Sequence, residues 1–287
     1  MTARPLYIAE VRGFCRGVRQ AIGMFEQAVA DSDEPCYVLH ELVHNRTVTR
    51  QMLERGAIIV DNVADVPPGS RLLFGAHGVS RQTEAEAAAR HLRVIDSCCL
   101  FVRKLQQLAA DLRPGRDLVL YGRAGHPEVN GILGHSAADR NFLIGTAGEI
   151  AGLPELHEPL LLIQTTAEAQ EAEAVREAFQ QRFPHGECPV HICHASSERQ
   201  ASVLRLATLT SHILILGSQH SSNANRLRDV AQRAGVNAIL VDGPDEIPHD
   251  WLDAPSLGLG ASASTPDCLI AETIEFLAEH GYNPISS

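Results

Sequence analysis

Leu72-Leu73-Phe74-Gly75-Ala76-His77-Gly78 is a short apolar run that breaks into glycine, a small residue and a histidine. The same reading recurs at Leu118-Val119-Leu120-Tyr121-Gly122-Arg123-Ala124-Gly125-His126 and at Ile213-Leu214-Ile215-Leu216-Gly217-Ser218-Gln219-His220-Ser221. Each reads as a buried strand feeding a loop of small and polar residues. A strand running into a glycine turn is common on its own, so the surroundings decide its meaning. Strand-like runs lie at 6–11, 36–39, 57–60, 71–74, 94–95, 118–121, 141–144, 160–163, 212–216, 237–241 and 256–259. Amphipathic helical patterns fill 18–30, 47–55, 81–91, 101–112, 167–182, 199–208, 225–234 and 266–279. This alternation predicts an α/β fold with parallel sheets. In such sheets ligands bind beyond the carboxyl ends of the strands, so three such loops facing inward would build one site.

Cys15, Cys99 and Cys193 stand in one recurring setting, 84 and 94 residues apart. Each ends a short apolar run and precedes a helical pattern. Unpaired N–H groups and partial positive charge at a helix start favour thiolate, the form that ligates metal. The spacing divides the chain into three similar lobes, 1–98 (with the N-terminal strand and Cys15), 99–193 and 194–287. Three thiolates can hold an iron–sulfur cluster and leave one iron open. None of the seven cysteines forms a CxxC pair, so a local zinc or ferredoxin-type pattern is absent. Cys36 and Cys268 read as core residues of a strand and a helix. Cys98 and Cys188 are ambiguous.

Composition narrows the classes. The chain has 287 residues, 45% hydrophobic and 21% charged, with a net charge of −11, which offers no basic field to nucleic acid. Lys104 is its one lysine, so any phosphate clamp rests on other residue types. An odd cysteine count without a dense framework fits a reducing compartment and a cytoplasmic protein. The run 6–11 reads as a strand, and no apolar run nears the ~20 residues of a membrane span.

Two segments read as anion sites. Gly217-Ser218-Gln219-His220-Ser221-Ser222-Asn223-Ala224-Asn225 crowds hydroxyls and amides before a helix. In Gly260-Ala261-Ser262-Ala263-Ser264-Thr265-Pro266-Asp267, Pro266 suits the first helical position with Ser264 or Thr265 as cap. Helix N–H groups with hydroxyls bind phosphate, although capping alone also explains such residues. Gly125-His126-Pro127-Glu128 pairs an imidazole with a carboxylate in a rigid turn. Glu128 is a general acid if its pocket raises its pKa, and an exposed loop carboxylate otherwise.

Together these motifs resemble the LytB/IspH family of iron–sulfur 4-hydroxy-3-methylbut-2-enyl diphosphate reductases. Arg12-Gly13-Phe14-Cys15-Arg16-Gly17-Val18 is similar to the family's RGFCAGV, and His40-Glu41-Leu42-Val43-His44-Asn45 to HExVHN. Ala76-His77-Gly78-Val79-Ser80, Gly125-His126-Pro127-Glu128-Val129, Gln164-Thr165-Thr166 and Ser221-Ser222-Asn223-Ala224-Asn225-Arg226-Leu227 follow in the family's order.

The resemblance implies a three-lobed α/β assembly in pseudo-threefold array around a [4Fe–4S] cluster held by Cys15, Cys99 and Cys193. It implies a diphosphate held by His44, His77, His126, Ser221, Ser222, Asn223 and Ser264, with Thr165 beside the substrate hydroxyl. His126, Thr165 and Glu128 form the catalytic group, with Glu128 feeding protons. The implied reaction removes the allylic hydroxyl to give isopentenyl and dimethylallyl diphosphates, with ferredoxin or flavodoxin as donor. Departures fall beside the site: the family's DATCPLV reads Asp96-Ser97-Cys98-Cys99-Leu100-Phe101-Val102, and changes follow at His194, Glu198, His220 and Ser262. A paralogue that binds cluster and diphosphate as a redox sensor, or a zinc-binding α/β module, remains an alternative. Retained Glu128 and Thr165 favour an enzyme.

Overall fold

A computed structural model describes residues 3–189 and 192–286. In chain order its elements are β1 (Arg4–Ile8), α1 (Arg16–Ala30), β2 (Cys36–Leu39), α2 (Arg46–Glu54), β3 (Ala57–Val60), β4 (Arg71–Phe74), α3 (Arg81–Ala89), β5 (Arg93–Asp96), α4 (Leu100–Ala110), β6 (Asp117–Tyr121), α5 (Pro127–His135), β7 (Arg140–Ile144), β8 (Leu160–Ile163), α6 (Ala169–Arg182), α7 (His194–Ala207), β9 (His212–Leu216), α8 (Ser222–Arg233), β10 (Asn237–Val241), β11 (Leu257–Ala261), α9 (Asp267–Glu279) and β12 (Tyr282–Ser286). Among the described residues the strands form three sheets, ordered β10-β9-β11-β1-β12, β3-β2-β4-β5 and β7-β6-β8, and every pairing between them is parallel. The α/β class with small parallel sheets is therefore as the alternation predicts. No helix among the described residues is long and apolar enough to cross a membrane.

The chain divides into two compact units. One holds the five-stranded sheet with residues up to Arg16, His44–Gln51 and those from His194 onward. Along β9, Leu214 and Leu216 face a core with Leu6, Leu257, Leu259 and Tyr282, while Ile213 and Ile215 face Val203, Leu206 and Leu227. Successive side chains point to opposite faces, and both faces of a parallel sheet need helix cover. Gly17–Val43 and Met52–Cys193 form the other unit, with two sheets. There β6 sends Val119 and Tyr121 toward Val175 and Phe179, and Leu118 and Leu120 toward Leu105, Val129 and Ile132. Leu72 and Phe74 pack with Leu39, Val63 and Ala87.

Three expectations need correction. The N-terminal strand is not part of a lobe spanning 1–98: β1 lies between β11 and β12 in the sheet of the C-terminal third. Strand pairing is long-range, and an apolar run carries no mark of its partner. The turn at Gly125–Glu128 opens a helix, α5, with His126 as its cap and Pro127 at its first position. Ser264 and Thr265 do not cap α9; Pro266 holds that position. Their hydroxyls instead donate to the carbonyls of His44 (3.1 Å) and Leu216 (2.8 Å).

Candidate active site

Most of the residues singled out by sequence lie beyond the carboxyl ends of strands. Gly75-Ala76-His77 follows β4, Ser97-Cys98-Cys99 follows β5 and the loop to His126 follows β6. Gln164-Thr165-Thr166 follows β8, Ser221-Ser222-Asn223 lies beyond β9, and Ser262-Ala263-Ser264 follows β11. Cys15, Cys99 and Cys193 are half-buried, and each directly precedes a helix: α1, α4 and α7. Burial raises the thiol pKa of Cys36, of Cys188 and of Cys98, the last to about 12. Cys36 fits its expected core place, but Cys268 is exposed at the start of α9, where its sulfur accepts from Gln51 Nε2 (3.7 Å).

In the two-sheet unit the candidates form a connected set. The Cys99 N–H donates to the Ala76 carbonyl at 3.0 Å, next to His77. The rings of His77 and His126 meet edge-to-face, 5.4 Å between centroids. His126 Nδ1 accepts the Glu128 N–H at 3.1 Å, which leaves the proton of the neutral ring on Nε2. Glu128 is 1% exposed in the first turn of α5. Its Oε1 accepts the Thr165 N–H (2.7 Å) and its Oε2 the Thr165 hydroxyl (3.0 Å). Burial pushes the Glu128 pKa up to about 7, against the lowering by the two Thr165 bonds. The Cys193 N–H donates to the Thr165 carbonyl at 3.2 Å. An acid that gains and loses a proton near neutrality is thus held by Thr165 in the turn capped by His126.

In the five-stranded unit a second set converges. The Cys15 N–H donates to the Ala263 carbonyl (3.1 Å), and the Ala263 N–H to Asn223 Oδ1 (2.9 Å). Ser264 reaches the half-buried His44 through the His44 carbonyl. Ser221 caps α8 by accepting the Ala224 N–H (3.3 Å). Ser222 Oγ and Asn223 Nδ2 are buried polar atoms with no hydrogen-bond partner. Two orphaned donors in the first turn of a helix are suited to an anion's oxygens. Sequence reading missed Arg199, which donates twice to the Gly13 carbonyl, at 2.5 and 3.2 Å, and so braces the loop leading to Cys15. An arginine in a helix pattern gives no sign of such a bond.

A protonatable carboxyl, orphaned donors and thiols, gathered at helix starts in a fold of parallel sheets, make this an α/β enzyme of the kind that works beyond its sheets' carboxyl edges. The LytB protein family model matches residues 6–278, and the chain belongs to that family. The 4-hydroxy-3-methylbut-2-enyl diphosphate reductase of Pectobacterium atrosepticum is 40% identical over 284 residues, covering 96% of this chain and 90% of that one. That of Nitrosomonas europaea is 39% identical over 280 residues, covering 95% and 87%. The solved E-1-hydroxy-2-methyl-but-2-enyl-4-diphosphate reductase of Plasmodium falciparum superposes with a TM-score of 0.91 at 28% identity, over 99% of this chain and 92% of that one. A second solved reductase, described as the terminal enzyme of the non-mevalonate pathway, gives a TM-score of 0.67 at 26% identity, over 96% and 99%.

Proposed function

We propose that this protein reduces (E)-4-hydroxy-3-methylbut-2-enyl diphosphate to isopentenyl and dimethylallyl diphosphates, the last step of the non-mevalonate isoprenoid route. Two electrons and two protons enter, the allylic C–O bond breaks and water leaves. Near-full-length relatives at 36–40% identity carry that activity in their names. The observation that carries the reading is the buried Glu128 held by Thr165. A protein that only sensed redox state would have no use for an acid poised near neutrality.

The donor set fits a [4Fe–4S] cluster on Cys15, Cys99 and Cys193. All three thiols are half-buried at helix starts, whereas burial disfavours the thiolate at Cys36 and Cys188. Held by Cys15, Cys99 and Cys193, such a cluster would supply the electrons and Lewis acidity toward the allylic oxygen. The remaining work falls to this chain's own groups. Ser222 Oγ and Asn223 Nδ2 take diphosphate oxygens at the start of α8, joined by Ser221 and Ser264. His44, His77 and His126 add ring N–H donors. Thr165 orients the substrate hydroxyl, and Glu128, protonated below about pH 7, delivers the proton that lets it leave as water. A ferredoxin or flavodoxin in the cytoplasm is the electron donor.

Anaerobically purified protein supplied with substrate and reduced methyl viologen tests the reading. Turnover to both alkenyl diphosphates is expected, with about four irons per chain and matching sulfide. Cys15→Ser, Cys99→Ser and Cys193→Ser each lose iron, while Cys268→Ser retains it. Stoichiometric zinc without sulfide overturns the cluster. A full cluster with no turnover overturns the reductase in favour of a sensor.

A further inference from the structure

Gln106 lies in the middle of α4, 1% exposed, on the stripe that buries Val102, Leu105 and Ala109. A leucine or methionine would fill that position without desolvating an amide. Burying a primary amide is unfavourable unless both its ends are bonded. Here Nε2 donates to the Val79 carbonyl at 3.2 Å, and Oε1 faces the Cys98 thiol at 4.0 Å. The same nitrogen is pressed between two glycines. A Cβ on Gly78 would stand 2.6 Å from it, and one on Gly131 would stand 2.8 Å from it. Gly78 also has φ +69°, which a side chain would strain.

These neighbours belong to three different candidate segments. Gly78 and Val79 directly follow His77. Gly131 lies one turn along α5 from Glu128. Cys98 precedes Cys99. One amide thus spaces the His77 loop from the helix that carries the acid, and both glycines give up a side chain to let it in. We propose that Gln106 is a positioning residue for the reaction, acting through His77 and the Glu128 helix without touching substrate. This rests on the reductase reading and deepens it.

Gln106→Met keeps the volume and removes both bonds. Its kcat for the allylic diphosphate, measured with reduced methyl viologen, is expected to fall about 10- to 100-fold, the scale of a ~1 Å misplacement. Its affinity for inorganic pyrophosphate is expected to fall several-fold because His77 shifts. Iron content and melting temperature stay near wild type. A paired variant separates positioning from filling. Gly131→Ala alone is expected to lower both melting temperature and kcat, because its methyl meets the amide. Gln106→Ala with Gly131→Ala refills the space, so melting temperature recovers relative to Gln106→Ala while kcat does not. Wild-type kcat and pyrophosphate affinity in Gln106→Met, or recovery of kcat in the double variant, would overturn the inference. Wild-type protein that holds its cluster but shows no turnover sinks the reductase reading instead, and the pyrophosphate titration still decides the role of Gln106.

Discussion

At the residue scale the proposed acid, Glu128, depends for its chemistry on burial that no local pattern records. The motif Gly125-His126-Pro127-Glu128 marked the residue as a candidate acid. Its neighbours, with two glycines and a proline, read equally well as an exposed loop. Burial then sets the pH behaviour. In the unfolded chain Glu128 ionises near 4.5, and in the folded protein near 7. Folding therefore favours the protonated form. The stability this gives is complete below about pH 4.5 and is lost as pH climbs to about 7, above which the ionised carboxylate stays buried at a constant cost. Glu128→Gln has no such titration. Its stability advantage over wild type, from urea unfolding between pH 4 and 8, is expected to widen from about pH 4.5 to about 7 and then level off. The wild-type kcat declines as pH rises through about 7, and the glutamine variant lacks that limb, with turnover lowered about 10²–10⁴-fold. A variant with the same stability curve as wild type would show that Glu128 ionises at its ordinary value.

At the element scale, most strands were legible because a buried run of four or five apolar residues with a glycine turn is a local signal. The runs at 36–39, 57–60, 71–74, 160–163, 212–216 and 237–241 have the bounds of β2, β3, β4, β8, β9 and β10. Helix α5 was not legible, since Gly131 and Gly134 look like breakers. In the folded protein they are contact points. A Cβ on Gly134 would stand 2.5 Å from that of Ser80, and Gly131 receives the Gln106 amide. Close packing against α4 at Gly131 and against the start of α3 at Gly134 outweighs the loss of helix propensity, which is about 1 kcal/mol per glycine. At the start of α8 a bonded hydroxyl stands beside an unbonded one, a difference the sequence alone does not show. Ser221 caps the helix through the Ala224 N–H, whereas the Ser222 hydroxyl is buried without a partner. Ser221→Ala is expected to cost about 1 kcal/mol of stability. Ser222→Ala removes an unsatisfied group, so it leaves stability unchanged or raised, while pyrophosphate affinity falls. Calorimetric melting and pyrophosphate titration of the two variants check this. Loss of stability in Ser222→Ala without loss of affinity would reassign its hydroxyl to the fold.

At the scale of the whole molecule, the sequence concealed how distant segments share one sheet. β1 lies between β11 and β12, more than 240 residues later in the chain. β12 itself reads poorly as a strand because Pro284 interrupts Tyr282–Ser286, yet it is an edge strand, where proline is tolerated. Tyr282 holds this edge in place. It is 3% exposed within the core of Leu6, Leu257 and Leu259, its hydroxyl donates to the Ala254 carbonyl at 2.8 Å, and the Arg4 guanidinium stacks 4.3 Å from its ring centre. The proposed cluster site leans on the same sheet, since β1 leads into the loop that bears Cys15, and that loop closes on the segment after β11 through the Cys15–Ala263 bond. Tyr282→Ala is expected to cost about 3–5 kcal/mol, as for a fully buried aromatic. Ile285→Ala, 41% exposed on the same strand, changes stability by about 0.5 kcal/mol or less. Urea unfolding of anaerobic, iron-loaded protein, followed by iron release and by circular dichroism, distinguishes the two. In Tyr282→Ala both midpoints move down together, because loosening β1 frees Cys15 as the five-stranded sheet opens. In Ile285→Ala neither moves. Iron release that keeps its wild-type midpoint in Tyr282→Ala, while circular dichroism shifts, would mean that the Cys15 loop is held by Arg199 and Ala263 without help from the strand that leads into it.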